Sequence, residues 1–278
     1  MHQKIQAKGV NMSRKVVLCL IVTLMFMLIK SDSVTYAYQP QLVILLYHHI
    51  LPEADNKTYA NNGWVITQEL FESQMEFLYK NQYHTITSGE LRAFLYEKQS
   101  LPPKSVMITF DDGYMSNYLF AYPVLKQYGF KALLFTITGG IQTKDQDFHP
   151  DHLDMLSWMQ ISASTDVFEY GSHTNALHYI TDGNRTGFVS VPLDQAESDL
   201  RLSLKRIHND KLFAYPSGQY NFQLVDMLRN TGVDLAFTTT VGYVNQNSYP
   251  LLLNRVTVYP DFDLETFGSV VKCKIIYN

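Results

Sequence analysis

Past residue 40 the chain alternates between short, uninterrupted apolar runs and longer segments in which apolar residues recur every three or four positions. The runs 42–46, 106–110, 132–137, 167–170, 212–215 and 235–239 are rich in β-branched, leucine and aromatic residues. Strands buried on both faces read this way, and parallel strands are usually so buried. Between them, Leu70, Phe71, Met75 and Leu78 repeat at helical spacing after Thr67, and Leu91, Phe94 and Leu95 do so after Ser88. Asp194 followed by Glu197 has the form of a capping box opening a helix with the stripe Leu200, Leu204 and Ile207. Asn221 is placed to cap a further helix with Leu224, Val225 and Leu228 inward and Gly232 at its end. Repeated strand–helix alternation predicts an α/β fold on a parallel sheet, open or closed into a barrel.

Two segments break the alternation. Residues 53–64 and 181–192 are polar or poor in strand formers and are expected as long loops walling a groove. No internal repeat, low-complexity tract or Pro/Gly-rich linker divides the chain, so one catalytic domain is expected over residues 38–278. The first 37 residues read as a sorting segment. Lys4, Lys8, Arg14 and Lys15 precede an uncharged apolar run over 16–29, shorter than the roughly 20 residues that span a bilayer. Thr35 and Ala37 suit cleavage before Tyr38, giving a signal peptide and a secreted or surface protein; an uncleaved membrane anchor is the alternative, and Met12 is a second candidate start. Cys19 lies inside the leader, which leaves Cys273 without an intramolecular partner and stability to packing.

Composition narrows the partners. With 46% hydrophobic and 17% charged residues in 278, the chain can bury a full core, and its formal charge of −4 with scattered Lys and Arg offers no field for nucleic acid. A monomer is expected.

The chemistry concentrates at the ends of the predicted strands. Thr109-Phe110-Asp111-Asp112-Gly113 follows one, and Gly171-Ser172-His173, with His178 five residues on, follows another. His48 follows the run 42–46, and Pro216 follows 212–215. In parallel α/β folds the carboxyl edge of the sheet is where sites are built. An Asp-Asp-Gly triplet alone is a turn signature. Two histidines five apart cannot share a helix face, so as ligands they must come from a strand end and its loop. Together the groups supply one carboxylate and two imidazoles for a divalent metal, with a second carboxylate left to move a proton, which is what metal-assisted hydrolysis requires. Two histidines and one carboxylate also describe non-haem iron oxygenases, a reading that leaves one aspartate without a task.

These motifs, with Ala214-Tyr215-Pro216-Ser217-Gly218, resemble the polysaccharide deacetylases of carbohydrate esterase family four, the group with the NodB homology domain. The resemblance spans roughly residues 40–270. The five-residue His173–His178 spacing, Leu46-Tyr47-His48 and Phe71-Glu72-Ser73-Gln74-Met75 resemble the exported poly-β-1,6-N-acetylglucosamine N-deacetylases of biofilm systems. This implies a deformed (β/α) barrel of one domain and N-deacetylation of a polymeric N-acetylhexosamine, with peptidoglycan or chitin-type substrates, or a catalytically weak glycan-binding protein, as alternatives. It further implies Asp111 as general base and Asp112, His173 and His178 as ligands of a divalent metal, Zn²⁺ foremost, with Co²⁺, Ni²⁺ or Fe²⁺ able to substitute. Tyr215, Pro216, Ser217 and Arg255 fall in the oxyanion and substrate group: a backbone donor near Ser217 holds the oxyanion, and Arg255 orients Asp111.

Two departures stand out. The region 251–259 has no histidine where most of the family carries its catalytic acid; the resemblance to the biofilm subgroup, which takes its acid from the first strand, implies His48 in that role. Ser217 stands where many members have tyrosine, and the usual arginine before Tyr215 is absent. Tyr59, Trp64, Tyr114 and Tyr179 are candidates to stack on sugar rings. His84, His149, His152 and His208 fit loops or exposed helix ends and need no special role.

Overall fold

The strand runs pair side by side into a closed, parallel ring. The computed structural model describes residues 41–273, in the order β1 (Val43–Tyr47), β2 (His49–Leu51), β3 (Val65–Thr67), α1 (Gln68–Lys80), β4 (His84–Thr85), α2 (Ser88–Tyr96), β5 (Ser105–Phe110), α3 (Tyr122–Tyr128), β6 (Ala132–Thr136), α4 (Trp158–Ala163), β7 (Phe168–Ser172), α5 (Gly187–Ser190), α6 (Leu193–Ile207), β8 (Leu212–Ala214), α7 (Phe222–Thr231), β9 (Leu235–Val241), β10 (Leu253–Thr257) and α8 (Leu264–Val271). Around the ring the order is β1, β5, β6, β7, β8, β9, β10 and back to β1, every pairing parallel. This seven-stranded barrel in one domain is the fold class expected from the sequence. The expected leader lies outside the described residues, among which no helix is long and apolar enough to cross a membrane.

Alternation along each strand sorts the barrel into an inside and an outside. Leu42, Ile44, Met107, Leu133, Phe135, Leu212, Ala214, Leu235, Phe237 and Leu253 form one buried cluster, the filling of the barrel. Leu91, Phe94 and Leu95 of α2 belong to the same cluster and plug its lower end. The alternate residues, among them Val43, Leu45, Ile108, Phe110 and Leu134, pack outward against Phe71, Met75 and Leu78 of α1. Phe213 and Tyr215 pack under Leu200 and Leu204 of α6 and Leu224 and Leu228 of α7. With the interior filled and the lower end plugged, only the upper mouth, at the carboxyl ends of the strands, is left for a site.

Local signals account for most helix ends. The Thr67 hydroxyl accepts from the Leu70 amide at 3.1 Å to start α1, and Thr87 with Glu90 forms the capping box of α2. Asn221 caps α7 through the Leu224 amide at 2.9 Å, and Gly232 ends it at φ 93°. The capping box expected at Asp194 is not formed. α6 begins two residues earlier behind Pro192, whose fixed φ suits the entry, and Asp194 sits inside the first turn. Glu197 instead pairs with Arg201 one turn on.

Three features had no clear sequence signal. β2 and β3 form a two-stranded parallel ribbon beside the mouth. β4 pairs with the start of β5, where β6 has not yet joined, and the Thr85 hydroxyl accepts from the Lys131 amide. β10 completes the ring although Arg255 lies at its centre.

Candidate active site

Strand register carries the inward-facing rows up to the mouth. β1 and β5 pair Leu46 with Thr109 and Tyr47 with Phe110, so the next residues, His48 and Asp111, come level at the rim. β6 and β7 pair Thr136 with Ser172, and the His173 amide donates to the Thr136 carbonyl at 2.9 Å, extending the ladder by one residue. After Phe110 the chain leaves the sheet in a left-handed turn, Asp112 at φ 73° and Gly113 at φ 88°. A β-carbon on Gly113 would lie 2.9 Å from the Thr136 methyl, so glycine is required there both for space and for φ. Positive φ is uncommon for aspartate and recurs where function demands an unusual backbone. Here it swings Asp112 away from the row of Asp111 and toward the end of β7.

Asp112, His173 and His178 converge. The Asp112 Oδ1 lies 3.4 Å from His173 Nε2 and 3.2 Å from His178 Nε2, with one ligand-type atom from each residue inside a 4.8 Å cluster. His173 Nδ1 bonds the Ala214 carbonyl at 2.8 Å, which puts the ring proton on Nδ1 and the lone pair on Nε2, toward Asp112. The loop carrying His178 is held by Asp199, whose carboxylate accepts from the Asn175 and Ala176 amides, each at 2.8 Å. Asp112 Oδ1 is buried without an aligned hydrogen bond. A buried acceptor of that kind normally finds a partner, and a cation held between it and the two imidazole nitrogens would supply one. The donor set, two nitrogens and one carboxylate, fits a divalent metal with coordination left open.

Charge reinforces the arrangement. Burial opposes ionisation of Asp112, yet the imidazoles of His173, His48 and His178 outweigh it and hold its carboxyl well below the usual range. Burial likewise works against a charged His173, but the Asp111 and Asp112 carboxylates overcome it and raise its pKa. His178 is pushed down to about 4 by burial and by His173.

Asp111 is buried and bound on both oxygens by Arg255, Nη1 to Oδ1 at 2.7 Å and Nη2 to Oδ2 at 2.6 Å. Arg255 is itself fully buried; its Nε donates to the Thr238 carbonyl at 2.8 Å and Nη1 to the Thr109 hydroxyl at 3.2 Å. The guanidinium lies 5.9 and 6.0 Å from the Phe135 and Phe237 rings inside the barrel. Burial alone would raise the pKa of Asp111; the bidentate arginine overrides it and keeps the carboxylate ionised.

Above these groups is a cleft of about 390 Å³ lined by His48, His49, Asn62, Trp64, Val65, Asp111, Asp112, Tyr114, Leu153, His173, His178, Ser217 and Thr239. The expected loop 53–64 does wall it, through Asn62 and Trp64; the loop 181–192 is absent from the lining. His48 is partly exposed, with its ring 4.6 Å from that of Trp64, and burial lowers its pKa. Ser217 reaches the cleft at φ 50°. Pro216 and Tyr215 are buried, the Tyr215 hydroxyl donating to the Leu251 carbonyl at 3.1 Å, and Arg255 is enclosed by its four bonds. Of the four residues grouped for oxyanion and substrate, Ser217 alone faces the cleft, while Tyr215, Pro216 and Arg255 support its walls. Sequence reading missed His49, whose ring is buried against Tyr114 and bonded to Ser116 at 2.7 Å. Its side of the ribbon became visible only with the β2–β3 pairing.

Comparison with known proteins gives this geometry a family. YxkH of Bacillus subtilis (strain 168) is 30% identical over 237 residues, 84% of this chain and 76% of its own. The family model described as polysaccharide deacetylase matches residues 98–236, which contain the aspartate pair and both histidines. The chain belongs to the polysaccharide deacetylase family. It is thus a hydrolase of N-acetyl amide bonds, in a family that generally depends on metal. The poly-β-1,6-N-acetyl-D-glucosamine N-deacetylase of Staphylococcus aureus (strain MSSA476) is 30% identical to this deacetylase over 210 residues, 72% of this chain and 69% of its own. Among solved structures, IcaB from Ammonifex degensii superposes with a TM-score of 0.70 at 28% identity, covering 85% of the deacetylase and 98% of IcaB. The Streptococcus pyogenes deacetylase PplD shares the fold, with a TM-score of 0.72 at 23% identity over 86% of this chain and 100% of its own.

Proposed function

We propose that this deacetylase is exported and removes N-acetyl groups from poly-β-1,6-N-acetylglucosamine, using a divalent metal, Zn²⁺ foremost, held by Asp112, His173 and His178. The observation that carries the reading is the buried Asp112 Oδ1 facing two imidazole nitrogens, beside a second carboxylate that Arg255 keeps ionised at the floor of the same cleft. When bound there, the metal supplies a Lewis acid for the acetyl carbonyl and for the attacking water.

The protein's own groups then divide the proton work. Asp111, ionised across the neutral range and fixed in rotamer by two short bonds, takes a proton from the water as its oxygen bonds to the acetyl carbon. The Ser217 amide, on the cleft wall, donates to the oxyanion that results. His48, level with Asp111 by the β1–β5 register, delivers a proton to the amide nitrogen as the C–N bond breaks, and acetate and a glucosamine amine leave. Trp64 packs on the His48 ring and limits its rotation. Trp64 is also 46% exposed at the rim, where its face suits the C–H face of a pyranose.

Support for the β-1,6 linkage comes from the Staphylococcus aureus relative, from the His173–His178 spacing and from the placement of His48. The test is acetate release from acetylated β-1,6-glucosamine oligomers, chito-oligomers and muropeptides of equal length. The reading requires the highest kcat/KM on the β-1,6 oligomers; a preference for chito-oligomers or muropeptides would transfer the mechanism to another glycan.

A further inference from the structure

A second group of metal-type ligands stands on the rim of the cleft, outside the catalytic set. His149, His152 and Asp154 bring one imidazole nitrogen or carboxylate oxygen each into a cluster 4.8 Å across; among the described residues it is the one such group besides Asp112, His173 and His178. All three sit on the long connection between β6 and α4, which is otherwise poor in regular structure. The His152 amide donates to the His149 carbonyl at 3.0 Å, closing a turn that brings the two rings to 5.2 Å. Asp154 is positioned from below: its Oδ2 takes the His149 amide at 2.8 Å and lies 3.3 Å from His149 Nδ1.

We propose that His149, His152 and Asp154 bind a second divalent cation of borderline softness, Zn²⁺, Ni²⁺ or Co²⁺, and that this ion clamps the β6–α4 connection as a wall of the cleft. Two imidazoles and one carboxylate select such cations over Mg²⁺ or Ca²⁺, which prefer all-oxygen sets. Ligand atoms around tetrahedral zinc lie roughly 3.3–3.5 Å apart, given metal–ligand distances near 2.0–2.2 Å. The 3.3 Å His149–Asp154 pair already has that spacing, and the third ligand reaches it by side-chain rotation, which the exposure of both rings leaves free. With both rings exposed and Asp154 partly buried beneath them, the imidazoles need little desolvation, and the remaining coordination falls to water.

The consequence for the cleft follows from what the connection touches. Leu153, between the second histidine and the aspartate, lines the cleft. The Asp154 carbonyl accepts from the Met115 amide at 2.7 Å, two residues past Gly113. The Asp151 carbonyl accepts from the Tyr59 hydroxyl at 3.1 Å, joining the two loops that wall the site. An ion joining positions 149, 152 and 154 therefore restrains the connection where it meets both the aspartate turn and the 53–64 loop.

The full chain, stripped of metal by chelation, is titrated with Zn²⁺ in competition with a chromophoric chelator. Wild type is expected to take up two equivalents, His149→Ala/His152→Ala one, His178→Ala one, and the triple variant none. In the His178→Ala background, Zn²⁺ is further expected to slow proteolytic cleavage within residues 142–156, and adding His152→Ala is expected to remove that protection while the melting temperature without metal stays unchanged. Equal uptake by wild type and His149→Ala/His152→Ala, or cleavage of the connection at one rate with and without Zn²⁺, would overturn the proposal.

Discussion

Replacing Arg255 by methionine keeps much of the side-chain volume and removes the charge that faces Asp111. In the native barrel the guanidinium is wholly enclosed and contributes two short bonds to Asp111, one to Thr238 and one to Thr109. The variant leaves the buried carboxylate without its bidentate partner, a change that typically costs about 3–5 kcal/mol. For a domain of this size each kcal/mol moves the melting temperature by roughly 2–4 °C, so a fall of roughly 6–20 °C is expected. Asp111 can escape part of the cost by taking up a proton, since burial without Arg255 pushes its pKa up. Stability should therefore be compared across pH. Because Arg255 depresses the folded pKa of Asp111, the pair's stabilisation is present above the unfolded value of roughly 3.9 and is lost as pH falls through the folded one. The gap between wild type and Arg255→Met is thus widest near neutrality and narrows in acid. Urea denaturation at pH 7.5 and pH 4, with Asp111→Leu/Arg255→Met as the closing corner of a double-mutant cycle, measures this. The double variant should recover most of the loss, because an apolar pair in an apolar barrel leaves no stranded charge. A loss below 1 kcal/mol for Arg255→Met, or a double variant as unstable as the sum of the singles, would refute the account of the pair.

The division of labour at the site gives further expectations. Asp111→Asn should keep bound metal while kcat falls by roughly 10²–10⁴, the usual weight of a general base; His173→Ala should lose metal and turnover together, and dialysis followed by metal analysis separates the two. His48→Gln should also keep the metal and lose turnover, with the deficit smaller for substrates carrying a better leaving amine. Zn²⁺ affinity of the metal-free protein should weaken as pH falls, first as His173, its pKa raised by Asp111 and Asp112 against burial, takes up a proton, and again as His178 does so at about 4. Calorimetric titrations from pH 8 to pH 5 that gave one constant affinity would contradict that order.

The barrel strands were legible because their inward and outward rows are both apolar: 42–46, 106–110 and 132–137 are continuous runs and appear as β1, β5 and β6 within a residue or two. β10 was not, because Asn254 and Arg255 interrupt its pattern; the arginine belongs inside the barrel only because Asp111 arrives there from β5, a tertiary fact no local window contains. β4 is two residues long and depends on a gap between β5 and β6. Asp194 and Glu197 had the spacing of a capping box, but Pro192 starts the helix first. At the site, His48, Asp111, Asp112, His173 and Pro216 could be placed on one edge from strand ends alone, with His178 on the loop that follows. What the chain could not reveal was the left-handed turn that parts the two aspartates, giving one to Arg255 and the other to the histidines. Nor could it show that Tyr215 turns its hydroxyl into the core.

The central claim is that Asp112, His173 and His178 hold the metal with which this cleft removes acetyl groups from a glucosamine polymer. Acetate released from an acetylated β-1,6-glucosamine oligomer tests it most directly, measured on the full chain as purified, after chelation, after return of Zn²⁺, and in His178→Ala. The account predicts release that chelation abolishes, Zn²⁺ restores and His178→Ala lacks at every Zn²⁺ concentration used. Release that persists through chelation, or that His178→Ala retains undiminished, would contradict it.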